Sequence, residues 1–373
     1  MQRGTGAVVG PGRGGKGDMS NMEKAPSEVL LASRDETDHT TGGGPAHPGG
    51  AGGPDAGPEL IEARDVPLGG PRAMTVRRTL PSRARSFVGA WCFVDHYGPD
   101  RVAATGGMDV PPHPHTGLQT VSWLFRGEIE HRDSHGVHAI VRPGELNLMS
   151  AGWGIAHSEV STPTTDVLHG VQLWLVLPRE ARGGPREFQH HAPTPTALPD
   201  DAGTALVFIG SLLGVTSPVR TATPLLGAEI ALEPGAVVDL AVEAGYEHGV
   251  LVDSGQVEVD DAAVPVAQLA FRGPADRPLR LANVGETPAR LVLLGGEPFT
   301  EEIVMWWNFI GGSHAEVVRA REEWNASGEP DGELAGGERF GAVAGYRGER
   351  AWLPAPDLPQ VRLRPRRNPH APR

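Results

Sequence analysis

The chain has 373 residues, 39% of them hydrophobic and 21% charged, and 33 Lys+Arg against 46 Asp+Glu give a formal net charge of −13. So acidic a chain is a poor general binder of a phosphate backbone, and no direct nucleic-acid partner is expected. Its 51 Gly and 35 Pro, far above ordinary usage of about 7% and 5%, rule out an architecture of long helices. Cys92 stands alone, which excludes an internal disulfide, a thiolate zinc site and CxxC redox chemistry. No run approaches the roughly 18 apolar residues of a membrane span, and no charged-then-apolar leader opens the chain. A cytoplasmic protein with no membrane partner is expected.

In chain order, residues 1–58 form a Gly/Pro-rich extension without an aromatic residue, which cannot offset its own ordering entropy and is expected to be disordered. Within it, Gly10 to Lys16 has the spacing of a phosphate loop. Gly17 replaces the Ser or Thr that would hold the metal, and no strand precedes it, so the match carries no weight. From Glu59, short β-branched and aromatic runs alternate with Gly/Pro/Asp turns. Examples are SFVGAWCFVDHYGP, TVSWLFRGEIEHRDS, HAIVRPGELNLMS and HGVQLWLVLP, the rhythm of a β-sandwich or barrel over 59–182. Residues 183–204 are polar and Pro-rich, a surface linker, and a second strand-rich stretch follows over 205–300. Within 301–326, SHAEVVRAREEWNA predicts one helix with Ser313 as its cap and Glu316 completing a capping box. Residues 327–373 are expected to form an extended tail, basic near its end and solvated.

Two pairs carry chemistry. His113 and His115 are two apart, and His157 and Glu159 repeat that spacing 42 residues later. On a strand, residues two apart share a face. Two adjacent strands presenting such pairs inward would gather three imidazoles and one carboxylate, a donor set for a divalent first-row metal. Four protein ligands on an octahedral ion leave two positions open for substrate. The second half has no such pair: Glu247 and His248 are adjacent and face opposite sides, so that barrel is expected to be metal-free. Among Glu130, His131 and Asp133, His131 and Asp133 share a side and are candidates to support a ligating imidazole. His135, His138, His169, His190 and His191 lack partners at ligand spacing and are expected at the surface. Trp306, Trp307 and Phe309 are expected to anchor core or interface. Trp153, between two glycines and flanked by Met149 and Ile155, is the candidate wall of a substrate pocket.

PPHPHTGLQTVSWLFRGEIEHRDS followed by RPGELNLMSAGWGIAHSE resembles the pirin family, a branch of the bicupins. The match is specific over 113–159 and looser from Glu59 to about 325, where EEIVMWWNF also fits. The resemblance implies an all-β chain of two tandem cupin (jelly-roll) barrels with a short C-terminal helix. It also implies Fe(II) in the first barrel, other divalent first-row metals being compatible with the ligands, held by His113, His115, His157 and Glu159. Gln119 stands where the general cupin motif has Glu, which leaves those four intact. Two functions fit. One is a quercetin 2,3-dioxygenase-type enzyme taking a small aromatic, flavonol-like substrate, with Glu159 as its catalytic base. The other is a non-catalytic regulator whose iron oxidation state selects a protein partner, a transcription factor or a metabolic enzyme.

Overall fold

The computed structural model describes residues 57–67, 74–329, 332, 334–348 and 350–368. The extension up to residue 56, with the Gly10–Lys16 run, lies outside them. The chain builds two barrels of the same plan, each a seven-stranded sheet backed by a four-stranded one. In the first barrel the large sheet runs, in spatial order, Glu187–His191, Leu146–Ser150, Leu118–Arg126, Val167–Val176, Trp91–Arg101, Thr75–Leu80 and Arg64–Pro67. Its small sheet is Asp109–His115, Ile155–Ser161, Ile129–Asp133 and His138–Val141. The strands of both sheets pair antiparallel. The second barrel repeats the arrangement, with Val237–Leu240, Leu279–Asn283, Val257–Val259 and Ala262–Val264 as its small sheet.

The near-continuous apolar runs of the sequence follow from strands buried on both faces. In Ala289–Gly296, Leu291 and Leu293 fill the interior of the second barrel. Val292 and Leu294 turn the other way into a core shared between the barrels, which includes Phe93, Trp174 and Phe208. Side-chain alternation with period two puts each set on its own face. Trp91 reinforces the joint, its indole Nε1 lying 3.2 Å from the Leu226 carbonyl and 3.1 Å from that of Gly295.

The domain limits expected from composition shift in three places. Glu59–Ile61 pairs with Leu269–Arg272 of the second barrel, so the chain starts its folded part in the far sheet. The expected linker contains Glu187–His191, an edge strand of the first barrel on Leu146–Ser150. The C-terminal segment is no solvated tail. The Leu353 N–H donates to Pro112 O at 2.9 Å, and Arg366 pairs with Ile303. The Asn368 side chain takes the N–H groups of Ser86 and Phe87 and donates to Phe87 O. Composition sees basic charge there; it does not see that Leu353 and Leu363 are buried anchors. The helix spans His314–Asn325 as predicted. Ser313 Oγ accepts from the Glu316 N–H, while Glu316 reaches back one residue further than a standard capping box, to the Gly312 N–H at 2.8 Å.

Candidate metal centre

The site lies where Asp109–His115 meets Ile155–Ser161. His157 sits opposite His113, and Ile155 opposite His115, which brings the HxH pair and the HxE strand side by side. Pro111 and Pro112 have no N–H to give the ladder, and the register slips there, setting Glu159 against Val110. On its other edge the same strand stays regular, with His157 facing Asp133 and Glu159 facing His131.

His113, His115 and His157 come together as a buried group whose ligand atoms all lie within 4.8 Å of one another. The His115 and His157 Nε2 atoms are 3.0 Å apart. Two donors at about 2.0–2.1 Å from one ion, at a right angle, stand roughly 3 Å apart, so this spacing suits a shared cation. His113 Nδ1 donates to Pro111 O at 2.9 Å, which fixes its tautomer and frees Nε2. Burial pulls His113 down to about 4, only partly offset by that bond. Burial and neighbouring imidazoles hold His115 and His157 well below the ordinary histidine value. All three are neutral lone-pair donors at neutral pH, the form a metal requires.

Glu159 is buried on the same strand but is not a member of that three-imidazole group. Ser122 Oγ stands 3.3 Å from Glu159 Oε1 and 3.0 Å from Gln172 Oε1, and its single proton serves one of them at a time. Burial pushes the Glu159 carboxyl up, against the lowering effects of His131, Ser122 and Gln172. Behind His157, His131 Nδ1 lies 3.4 Å from His157 Nδ1, and His131 Nε2 lies 3.2 Å from Asp133 Oδ2. An Asp133–His131–His157 line therefore backs one metal-facing imidazole. Glu130 turns outward to Arg132 and His138 and takes no part. Gln119 is buried and donates to Ser150 Oγ at 2.6 Å.

The aromatic residues divide. Trp306, Trp307 and Phe309 are core, packed with Ala156, Trp324 and Phe340; the backbone joins Thr116 to Ile310 just beyond His115. Trp153 is 46% exposed, capped by the Arg339 guanidinium 5.4 Å from its ring, rather than a pocket wall. Met149 and Ile155 are core with Ala151 and Phe188. Trp174, which the spacing argument missed, meets His115 edge-on at 5.2 Å. Sequence reasoning also missed a second polar group. His169, expected at the surface, joins His96 on Asp253 of the other barrel, with Nε2 atoms 2.6 and 2.7 Å from Asp253 Oδ1. Burial pushes Asp253 up, but the His169 and His96 imidazoles set against it outweigh that and hold the carboxyl well below its usual range. Arg290 takes its second oxygen at 3.3 Å, so this cluster is a charged clamp between barrels. The three residues are more than seventy positions apart in sequence, and no short-range pattern signals them.

Two tandem cupin barrels with a three-histidine cluster inside the first define a bicupin with a site for a metal. The family pattern described as Pirin matches residues 73–175, and that described as Pirin C-terminal cupin domain matches 227–329. A Pseudomonas aeruginosa protein provisionally named a quercetin 2,3-dioxygenase is 41% identical over 301 residues, covering 81% of this chain and 90% of that protein. A pirin-like protein of Caulobacter vibrioides is 36% identical over 276 residues, covering 72% and 92%. The crystal structure of a quercetin 2,3-dioxygenase from Acinetobacter baumannii superposes with a TM-score of 0.74 at 32% identity, covering 83% of this chain and 98% of that one. The chain belongs to the pirin family. Among the described residues no helix is long and apolar enough to cross a membrane.

Proposed function

We propose that this pirin is an iron(II)-dependent dioxygenase of flavonol-type, quercetin-like substrates, with His113, His115, His157 and Glu159 as metal ligands. The observation that carries the reading is the convergence of three neutral, buried imidazoles on one point, together with relatives named for quercetin dioxygenase chemistry. An iron held by these residues would supply Lewis-acid activation of a chelating hydroxy-ketone. The protein's part is positional. Pro111 O fixes the His113 ring and His131 backs the His157 ring, so the Nε2 lone pairs are set before any ligand arrives. Glu159, whose carboxyl burial raises, accepts the substrate hydroxyl proton, and the Ser122 hydroxyl, switching between Gln172 and Glu159, steadies whichever form is present.

The test is oxygen uptake by iron-loaded protein given quercetin. The wild type consumes oxygen and His113→Ala does not. Glu159→Gln keeps iron on its histidines yet loses about 10²-fold or more in turnover, the usual scale of a lost general base. Full turnover in Glu159→Gln with iron bound contradicts the base role. Silence across a panel of flavonols, with oxidation-dependent capture of a protein partner, contradicts the enzyme and supports a regulator instead.

A further inference from the structure

The strand that carries His113 and His115 is the least secured piece of the metal-bearing sheet. Asp109–His115 is an edge strand, paired there only with Ile155–Ser161. Three of its seven residues, Pro111, Pro112 and Pro114, have no N–H to donate. Its register slips where its partner passes from His157 to Glu159. A strand tied so loosely needs another hold, because ligand atoms must keep their places to about 0.2 Å for one ion to satisfy them all.

The C-terminal segment supplies that hold. Residues 334–348 and 350–353 lie beyond the matched family pattern, which ends at 329, and they touch both ligand-bearing strands. The Leu353 N–H donates to Pro112 O at 2.9 Å, next to His113. The Ala156 N–H, next to His157, donates to Phe340 O at 3.1 Å. At the start of the edge strand, Tyr346 Oη donates to Asp109 Oδ1 at 2.7 Å. The Leu353 side chain is fully buried in one cluster with Val110, the residue opposite Glu159, and with Ile129 and Tyr97. Phe340 packs with Ala156 and Trp324. Each strand is thus gripped one residue ahead of a ligand. The segment is itself mounted on the helix His314–Asn325. Trp324 Nε1 donates to Leu353 O at 2.8 Å, and the Asn325 side chain exchanges two hydrogen bonds with the Ala355 backbone. A Cβ on Gly348 would overlap Tyr346 Oη, so the glycine is what lets the hydroxyl reach Asp109.

We infer that this segment is a positioning strap for the metal centre. It holds the edge strand at Asp109 and Pro112 and the neighbouring strand at Ala156, and so fixes the His113 and His115 pair relative to His157. Tyr346 and Leu353 are its positioning residues. The inference rests on the three-histidine centre holding a metal ion, and not on the dioxygenase reading. Cobalt(II) titration of the metal-free full chain tests it: the visible ligand-field bands report the arrangement of donors, and competition with a chelator reports affinity. Tyr346→Phe removes only the hydroxyl, and Gly348→Ala keeps it but drives it from Asp109. In both, Co(II) is expected to bind about tenfold more weakly, the lower end of what an outer contact to a ligating histidine is worth. The bands shift, and the metal-free Tm stays close to that of the wild type. The wild type gives a readout without substitution. Coupling is reciprocal, so Co(II) slows hydrogen exchange at the Leu353 and Ala156 amides. Three results overturn the strap and leave the centre standing: affinity and bands unchanged in both variants, amide exchange indifferent to the ion, or weaker binding matched by a lower metal-free Tm, which marks a purely structural role. A wild type that binds no Co(II) overturns both.

Discussion

The two barrels share one plan and differ in what their small sheets carry. In the first, Asp109–His115, Ile155–Ser161 and Ile129–Asp133 have four histidines, a glutamate and two aspartates among their buried residues. In the second, Val238, Leu240, Leu279, Leu281, Val257 and Val259 take the buried positions and fill the space with aliphatic carbon. The scaffold therefore does not specify chemistry; polar residues placed on it do, and each must be neutral, paired or ligated to be tolerated inside. The Asp253 clamp, with His96 and His169 reaching from one barrel to a carboxylate in the other, ties these two versions of the fold together.

That contrast can be broken at several points. The largest effect on stability is expected from Asp253→Ala, which strips the carboxylate from His96, His169 and Arg290. Breaking a buried pair costs about 3–5 kcal/mol, and calorimetry should show it as a lower Tm; an unchanged Tm would mean that the clamp joins nothing. Next, Leu291→Ala in the second barrel, where the side chain is fully buried, costs about 2–5 kcal/mol while metal content per folded chain stays at the wild-type value. A parallel loss of metal would contradict the independence of the two barrels. His131→Ala removes the backing of His157 and should weaken metal affinity about 10–100-fold, the usual cost of losing an outer partner of a ligating histidine. Competition with a chromophoric chelator measures it, and the same variant should leave Tm in the absence of metal nearly unchanged.

The smallest effect is a pH dependence written into the second barrel. Burial and the nearby Arg272 charge lower His248 to about 4. Its folded-state value lies below the unfolded value near 6.5, so the unfolded chain takes the extra proton as pH falls. The stability this residue contributes is fully present above about 6.5 and is lost progressively down to about 4. Chemical denaturation across that window, wild type against His248→Phe, should show a shallower decline in the variant; parallel curves would assign the slope elsewhere.

How much of this was legible in the sequence depends on the range over which its determinants act. The HxH and HxE pairs are local, so strand periodicity alone predicts His113, His115, His157 and Glu159 on one face, with His131 and Asp133 as candidates to support them. The three imidazoles do converge. The Ser313 cap was equally local, needing only Glu316 three residues on. What stayed hidden acts between distant strands. His169 has no partner until Asp253 arrives from the other barrel, Glu59–Ile61 has no sheet until Leu269–Arg272 folds, and Asn368 satisfies backbone groups some 280 positions away. Trp153 misled for a different reason: two flanking glycines suggest a shaped turn, but not which way the indole faces.

In the proposed centre one ion sits among His113, His115 and His157 with Glu159 as its fourth protein ligand. Anomalous diffraction at the iron edge, on crystals of protein loaded anaerobically with Fe(II), tests it most directly. A single strong peak bonded to the three Nε2 atoms and to a carboxylate oxygen of Glu159 is expected. A peak elsewhere, or one at the three histidines with Glu159 still turned to Ser122, would contradict it.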